Sequence, residues 1–173
     1  TKGHILLTNI ITEHLEPILA KLREMGCVIN CSNGAIELYV DTPLNSLDSL
    51  RTLPYPGFPT DMQAPMMALL ATVKGTAIVT ETVFENRFKH TEELRRMGAK
   101  ISINGNVAIV NGVKHLTGAV VEAKDLRAGA SLLLAGLAAE GETVVEGAWH
   151  VERGYEDIGE KLNHLGANIS RIY

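Results

Sequence analysis

The chain of 173 residues is poor in cysteine, with only Cys27 and Cys31, four positions apart. A structural zinc site uses about four ligands in spaced pairs, and no second Cys or His pair lies near these two. We therefore predict no bound metal and two ordinary thiols in a reducing compartment. Histidines also lack metal-ligand spacing, so we expect all six at the surface or in loops: positions 4, 14, 90, 115, 150 and 164.

Long apolar runs and excess positive charge are also missing. No apolar stretch approaches the roughly 18 residues of a membrane-spanning helix, and the N-terminus lacks the pattern of a signal peptide. The formal net charge of −4 disfavours a nucleic-acid partner, since phosphate binding usually needs a basic face. With 46% hydrophobic and 21% charged residues, the composition is typical of a globular protein. We expect a cytoplasmic protein with neither a membrane nor a nucleic acid as partner.

The sequence lacks a P-loop, a dinucleotide glycine fingerprint, a nucleophile elbow and an HExxH motif, but it contains an internal repeat. The phrase LREMGCVI returns as LRRMGAKI after 72 residues and as LNHLGANI after a further 68. Asn-Gly pairs in CVINCSNGAIELYV and AKISINGNVAIVNG predict two β-hairpins. Each phrase predicts an amphipathic helix that ends at a glycine and precedes an extended segment: Gly26, Gly98 and Gly166.

Two further stretches, MQAPMMALLATVKGTAIVTE and LRAGASLLLAGLAAEGETVVE, predict apolar helices that are closed by Gly75 and Gly141 and followed by β-branched strands. Because these helices are apolar on nearly every face, we expect them to be buried in the centre of the domain. The repeating unit is therefore βαβαββ, and a few units should pack around a common core. We expect one α/β (α+β) domain over residues 1–173, with repeats at 1–53, 54–116 and 117–173.

The outer repeats are incomplete. TKGHILLT at the start supplies only a glycine and a strand, and NISRIY at the end has no returning hairpin strand. We therefore expect this chain to be a portion of a longer protein. Other segments of that protein should cover the unpaired strand edges.

Charged residues stand at matching points of the last two repeats. Asp61 and Asp125 begin the two apolar helices, while Arg87 and Arg153 each follow, by twelve residues, the glycine that closes the helix. Repeats related by rotation would gather these side chains, with Arg127, at one end of the domain beside the helix N-termini. Such an end suits phosphate or carboxylate groups. A carboxylate among those cations has the arrangement that general-base catalysis needs.

Structural interpretations of the two aspartates stay open at this point. Thr60 and Gln63 fit a capping box, in which Asp61 only belongs to the first helical turn. Pro65 would forfeit a hydrogen bond in a helix begun at Thr60, so the regular helix is expected to start nearer Gln63. Asp125 has the same alternative role as a helix cap.

The two arginines also allow a structural interpretation. Arg87 lies near Glu85, and Arg153 follows Glu152 directly. Each arginine could therefore form an exposed ion pair with its neighbour. Position leaves both interpretations open.

Four stretches resemble the C-terminal part of the UDP-N-acetylglucosamine enolpyruvyl transferases of bacterial peptidoglycan synthesis: PGFPTDMQAP, TETVFENRFKHTEELRRMGA, AKDLRAGASLLLAGLAAEG and HVERGYEDIGEKLNHLGANI. The resemblance covers nearly all of the chain and is densest from Pro54 onward. It implies an inside-out α/β barrel of repeats around a pseudo-threefold axis, incomplete here, with substrates bound between this domain and a second one. It also implies transfer of the enolpyruvyl group of phosphoenolpyruvate to the sugar 3-hydroxyl, release of phosphate, and no metal or organic cofactor.

The resemblance assigns catalytic roles to Asp61, Asp125 and Arg153. Asp61 matches the aspartate that holds the sugar hydroxyl and is the proposed base. Arg153 matches an arginine on the phosphoenolpyruvate side, and Asp125 matches a charged residue that lines the cleft.

The resemblance also implies substrate-binding residues. Val83 matches a position whose backbone contacts the amino sugar, and Phe84 lies beside it. Arg87 and Arg127 match cationic residues of the cleft, and Asp61 and Arg153 belong to the binding set as well.

Parts of the implied site have no counterpart in this chain. The family's Lys-Asn pair, its mobile cysteine loop and an arginine of the other domain are absent, and neither Cys27 nor Cys31 matches the loop. Because transition-state stabilisation needs the whole constellation, we predict no measurable turnover by this chain without the missing N-terminal portion. Two alternatives stay open, namely a domain of the related shikimate-phosphate transferase and a non-catalytic anion or nucleotide-sugar binding module.

Overall fold

The computed structural model describes residues 3–172. Two short 3-10 helices cover Thr12–Leu15 and Thr60–Met62. The regular elements in chain order are β1 (His4–Leu7), α1 (Glu16–Glu24), β2 (Val28–Ser32), β3 (Ala35–Tyr39), β4 (Ser49–Arg51), α2 (Gln63–Leu70), β5 (Thr76–Thr80), α3 (His90–Arg96), β6 (Lys100–Asn104), β7 (Val107–Asn111), β8 (Leu116–Thr117), β9 (Val120–Glu122), α4 (Leu126–Ala138), β10 (Ala139–Glu140), β11 (Val144–Glu146), α5 (Trp149–Glu152) and α6 (Ile158–His164).

The strands form two larger sheets and two short pairs. β1, β3 and β2 make an antiparallel sheet in that order, and β4, β5, β7 and β6 make the second. Helix α2 lies between β4 and β5, which pair in parallel, and α4 lies between β9 and β11, which also pair in parallel. β8 and β10 form another parallel pair. These two β-α-β units confirm the mixed α/β pattern expected from the repeat.

Helix α2 is buried as predicted, whereas α4 is buried along one side only and leaves Leu134 41% exposed. Helix α2 packs against α4. Helix α4 in turn lies so close to α5 that a Cβ on Gly129 would come within 2.2 Å of Val151 Cγ2. Each fully buried Leu or Met side chain contributes about 1.5–3 kcal/mol to folding. The buried residues of α2 are Gln63, Ala64, Pro65, Met66, Met67, Ala68 and Leu70.

The helix in each of the three repeated phrases ends in the same cap, which confirms the prediction. Gly26, Gly98 and Gly166 have φ of +103°, +90° and +93°, in the left-handed region that favours glycine. In each phrase the glycine N–H donates to the carbonyl three residues earlier at 2.9 Å, and the next N–H donates to the carbonyl five residues earlier at 3.0 Å. This pair of bonds defines a Schellman motif.

The extended segment expected after Gly166 contains no strand over residues 167–172. Instead, the side-chain amide of Asn163 both donates to the carbonyl and accepts from the N–H of Ile169, at 2.8 Å each. The side chain thus satisfies backbone groups that a neighbouring strand would otherwise pair.

Both predicted hairpins are present, but only one uses the expected turn. Asn33 and Gly34 have φ of +47° and +71°, as a type I′ turn requires. In the second hairpin Asn104 pairs with Val107, so the turn residues are Gly105 and Asn106 rather than Asn104 and Gly105. The prediction is wrong by one residue because Asn106 is held elsewhere: its side chain donates to the Glu81 carbonyl at 3.0 Å.

Other sequence expectations concern membranes, metals and thiols. Among residues 3–172, no helix has the length and apolar character needed to cross a bilayer. The same residues contain no cluster of His, Cys, Asp or Glu side chains placed to hold a metal ion. Cys27 is a buried free thiol, whose pKa is raised by that burial, and Cys31 is an exposed free thiol.

Candidate functional site

Asp61 lies in the 3-10 turn before α2, and its side chain is 60% exposed. The capping-box interpretation is wrong, because neither the turn nor α2 has a side-chain cap. The Thr60 hydroxyl instead donates to Glu81 Oε2 at 2.9 Å, and the buried amide of Gln63 has no hydrogen-bond partner among the described residues. The regular helix begins at Gln63, as expected from Pro65. The Asp61 carboxylate is therefore free for other contacts.

Two arginines converge on one oxygen of Asp61. Arg127 Nε donates a hydrogen bond to Asp61 Oδ1, and Arg87 Nη2 lies 3.8 Å from the same atom. This hydrogen bond is the main cause of a raised pKa for Arg127. Within residues 3–172, no donor hydrogen-bonds to the other oxygen, Oδ2. The site thus presents an accessible carboxylate oxygen beside two guanidinium groups.

Arg87 is held by an aromatic ring as well as by Asp61. Its Cζ lies 4.1 Å from the centroid of the Phe84 ring, a cation-π contact. The ion pair with Glu85 that the sequence left open is not formed within the described residues. Arg87 therefore points to the aspartate of a distant turn rather than to its sequence neighbour.

Asp125 is a helix cap, so its structural interpretation is confirmed. Its Oδ1 accepts hydrogen bonds from the backbone N–H groups of Arg127 and Ala128, at 2.8 Å each. This is the usual geometry of an aspartate that caps a helix. By fixing the first turn of α4, Asp125 also determines where the Arg127 side chain starts.

The converging side chains border an open depression of about 620 Å³. It brings together five residues predicted from the sequence: Val83, Phe84, Arg87, Asp125 and Arg127. Asp61 joins them through its contacts with the two arginines. Lys89 and Lys124 also line the depression. Sequence reasoning missed both, although Lys124 directly precedes Asp125 and Lys89 lies two residues after Arg87. The depression is thus lined by four cationic side chains.

Of the predicted site residues, Arg153 lies away from this depression. It follows the last residue of α5, is exposed, and forms no ion pair within residues 3–172. The alternative pairing with Glu152 is wrong, since Glu152 Oε1 lies 3.0 Å from Arg171 Nη1. Tyr155, two residues further on, was not predicted from the sequence and interacts electrostatically with the site. Burial raises its pKa, and the charges of Arg127 and Asp61 also act on it.

His90 contradicts the expectation that all six histidines lie at the surface or in loops. It begins α3, is 3% exposed, and its Nδ1–H donates to the Arg87 carbonyl at 3.0 Å. Its Nε2 has no hydrogen-bond partner among the described residues. Burial lowers the pKa of His90 to about 4, so the ring is neutral at pH 7. The histidine therefore anchors the backbone of Arg87 without adding charge.

Comparison with known proteins agrees with this fold. The protein-family model described as EPSP synthase (3-phosphoshikimate 1-carboxyvinyltransferase) matches residues 1–162, and the chain therefore belongs to this family. Within it, similar relatives carry a more particular name. The chain is 51% identical over 171 residues to the UDP-N-acetylglucosamine 1-carboxyvinyltransferase of Desulfofundulus thermocisternus, covering 99% of this chain and 70% of that protein.

A second relative and two solved structures extend the comparison. UDP-N-acetylglucosamine 1-carboxyvinyltransferase 2 of Carboxydothermus hydrogenoformans is 55% identical over 174 residues, and the chain spans only 41% of its length. The enolpyruvyl transferase NikO from Streptomyces tendae superposes with a TM-score of 0.81 at 32% identity, over 90% of this chain and 36% of that chain. EPSP synthase from Acinetobacter baumannii gives 0.75 at 20% identity, over 99% and 41%. The predicted fold class is confirmed.

Proposed function

We propose that this chain forms one wall of the active site of a UDP-N-acetylglucosamine 1-carboxyvinyltransferase. That enzyme would move the enolpyruvyl group of phosphoenolpyruvate to the sugar 3-hydroxyl and release phosphate, a step of peptidoglycan synthesis. The observation that carries the proposal is the Asp61 carboxylate, with Oδ1 engaged by Arg127 and Oδ2 open. The relatives at 51–55% identity support the choice of acceptor.

In this proposal Asp61 acts as the general base. Its open oxygen accepts the hydrogen bond of the 3-hydroxyl and takes the proton as the hydroxyl oxygen bonds to C2 of phosphoenolpyruvate. C3 gains a proton from a general acid that the rest of the protein would supply, which gives a tetrahedral intermediate. The same group then takes a proton back from C3 as the C2–O bond to phosphate breaks, so that phosphate leaves and the double bond is restored. Arg127 and Arg87 hold the carboxylate and add positive charge near the anionic substrates.

The backbone beside the depression offers a contact for the amino sugar. The N–H groups of Val83 and Phe84 both donate to Glu81 Oε1, at 2.8 and 3.2 Å. The Val83 carbonyl is then the backbone group left for the N–H of an acetamido group. The exposed Phe84 ring would support the sugar, and Arg153 would bind on the phosphoenolpyruvate side.

The proposal includes parts that this chain does not supply. Since the chain spans 41% of several relatives, further segments of the same protein would provide the second wall and the rest of the phosphoenolpyruvate site. The chain without those segments would show no turnover. The repeats at 1–53, 54–116 and 117–173 and a cytoplasmic location belong to the same proposal. Both substrates are charged metabolites that do not cross membranes unaided.

The test is a titration of the isotopically labelled chain with UDP-N-acetylglucosamine, followed by the backbone amide NMR signals of Asp61, Val83 and Phe84. We expect saturable shifts at these residues and weaker binding by the matched variant Asp61→Asn, which keeps the shape of the side chain. A well-dispersed spectrum without shifts would contradict the proposal that this wall binds the sugar by itself.

A second candidate acceptor is shikimate 3-phosphate, because the matching family model is described as 3-phosphoshikimate 1-carboxyvinyltransferase. The same titration with this acceptor separates the two functions. Saturable shifts with shikimate 3-phosphate, and none with the nucleotide sugar, would replace the first proposal by the second.

A further inference from the structure

We propose that Glu81 is a positioning residue that fixes the Asp61 turn relative to the Val83–Phe84 backbone. Glu81 follows β5 directly and is 2% exposed. It does not line the depression, so it cannot act on a ligand itself. Its influence on the site must pass through the groups that it binds.

The Glu81 carboxylate joins three separate segments of the chain. Oε2 accepts the Thr60 hydroxyl at 2.9 Å, and Thr60 is the immediate neighbour of Asp61. Oε1 accepts the Thr52 hydroxyl at 2.8 Å and the N–H groups of Val83 and Phe84 at 2.8 and 3.2 Å. Three donors therefore share Oε1 and one binds Oε2, so both oxygens of the carboxylate are engaged.

Glu81 is buried without an ion-pair partner within residues 3–172. Burying a charge is costly unless hydrogen bonds satisfy it, and here four donors do so. Its backbone is fixed too, since its N–H donates to the Asn106 carbonyl at 2.9 Å and its carbonyl accepts the Asn106 amide. The carboxylate is thus a rigid hub between the two sides of the proposed sugar site.

The other β-α-β unit closes without such a hub. Gly147 occupies the position of Glu81, and Ala123 that of Thr52, one residue after the paired strands. The same backbone bond is formed in both units, from Thr52 N–H to the Thr80 carbonyl at 3.0 Å and from Ala123 N–H to the Glu146 carbonyl at 2.8 Å. The carboxylate hub is therefore found in the unit that carries Asp61, where it adds a link that the other unit does without.

The test compares Thr60→Val with Thr52→Val in the 173-residue chain. Each variant removes one hydroxyl donor from the same carboxylate. Thr52 is fully buried and also accepts the Thr82 N–H at 3.0 Å, so Thr52→Val should destabilise the fold more. A purely structural role for Glu81 predicts that the two variants disturb Asp61 in proportion to their lost stability.

The positioning role predicts the opposite order at Asp61. The readout is hydrogen exchange of the Arg127 Nε–H, which donates to Asp61 Oδ1. We expect Thr60→Val to accelerate this exchange about tenfold, the factor that a net hydrogen bond to a charged group contributes, and Thr52→Val to leave it within about twofold. The conservative variant Thr60→Ser should restore the slow exchange. Unchanged exchange in Thr60→Val, or changes that follow stability, would overturn the proposal.

The significance of this role for substrate binding rests on the proposed function, and a second arm separates the two. UDP-N-acetylglucosamine is titrated into the wild-type chain and into Thr60→Val, with an expected loss of affinity of about tenfold. If the wild-type chain does not bind the sugar nucleotide, the proposal that this wall binds the sugar by itself fails, while the exchange data still decide the role of Glu81. If Thr60→Val shows accelerated exchange but binds the sugar nucleotide as tightly as the wild type, the positioning role of Glu81 does not affect sugar binding.

Discussion

Two units of the molecule carry an aspartate at corresponding positions but use it differently. The first unit runs from β4 to β7 (residues 49–111) and contains Asp61, and the second runs from β9 to α6 (residues 120–164) and contains Asp125. Asp125 caps α4 through the N–H groups of Arg127 and Ala128. Asp61, at the corresponding point, lies within the 3-10 turn that precedes α2 and caps neither element. A position that stabilises a helix in one unit is available for chemistry in the other.

Pro65 accounts for the difference in physical terms. It is the third residue of α2, where a capping carboxylate would normally bind an N–H, and proline has none. In α4 the third residue is Ala128, whose N–H does bind Asp125. The start of α2 thus has less need of a cap, and the Asp61 carboxylate can turn to the arginines.

The largest effect that we expect in this comparison is the pH dependence contributed by His90. His90 lies fifteen residues after Gly75, and its counterpart in the other unit, fifteen residues after Gly141, is the exposed Glu156. Because burial lowers the pKa of His90 from 6.5 to about 4, the unfolded chain binds the proton first as the pH falls. Stability is therefore lost as the pH falls between those values, by about 3 kcal/mol at pH 4 relative to pH 7.

The measurement is urea unfolding from pH 7 to pH 4 for the wild type and His90→Asn. Asparagine can still donate to the Arg87 carbonyl but does not titrate, so its stability should fall less over this range. Glu156→Gln is the matched control and should follow the wild-type curve. A His90→Asn curve parallel to the wild type would show that His90 contributes nothing to the pH dependence.

The next effect concerns the helix caps that the units share. Gly98→Ala and Gly166→Ala should each cost about 1–2 kcal/mol, because alanine disfavours the left-handed conformation. Gly159 provides the control of opposite sign: it lies inside α6, where an added Cβ would meet only Ile169 Cγ2 at 3.7 Å. Gly159→Ala should stabilise by roughly 0.5–1 kcal/mol. Unequal costs at Gly98 and Gly166 in thermal unfolding would show that the caps are not equivalent.

The smallest effect distinguishes the two aspartates directly. Asp125→Ala should lower the free energy of unfolding by about 1 kcal/mol through the lost cap. Asp61→Ala should change it by less than about 0.5 kcal/mol, as for other surface substitutions, while removing the carboxylate from the site. Chemical denaturation of both variants gives the two values. Equal losses would mean that Asp61 also stabilises its helix start.

The sequence was most informative where structure depends on neighbours in the chain. Glycines at the ends of amphipathic helices and apolar runs of helical length led to the three caps, the buried α2 and the partly buried α4. The position of Asp61, Arg87 and Arg127 near one another followed from treating the repeats as related by rotation.

Features that depend on remote contacts could not be predicted. Two of the donors to Glu81 come from the remote positions 52 and 60, and no local pattern distinguishes this glutamate from an exposed one. The one-residue shift of the second hairpin turn depends on the contact between Asn106 and Glu81. His90 stands among charged residues, and only the packing of α3 reveals that it is buried.

The half-occupied carboxylate of Asp61 also bears on which ligands suit this depression. Asp61, Arg87 and Arg127 carry a combined charge of +1, so an amine directed at the aspartate meets two guanidinium groups that repel it. A neutral hydroxyl or amide donor can bind the open Oδ2 without that penalty. A compound that joins such a donor to an anionic group would use the aspartate and the arginines together.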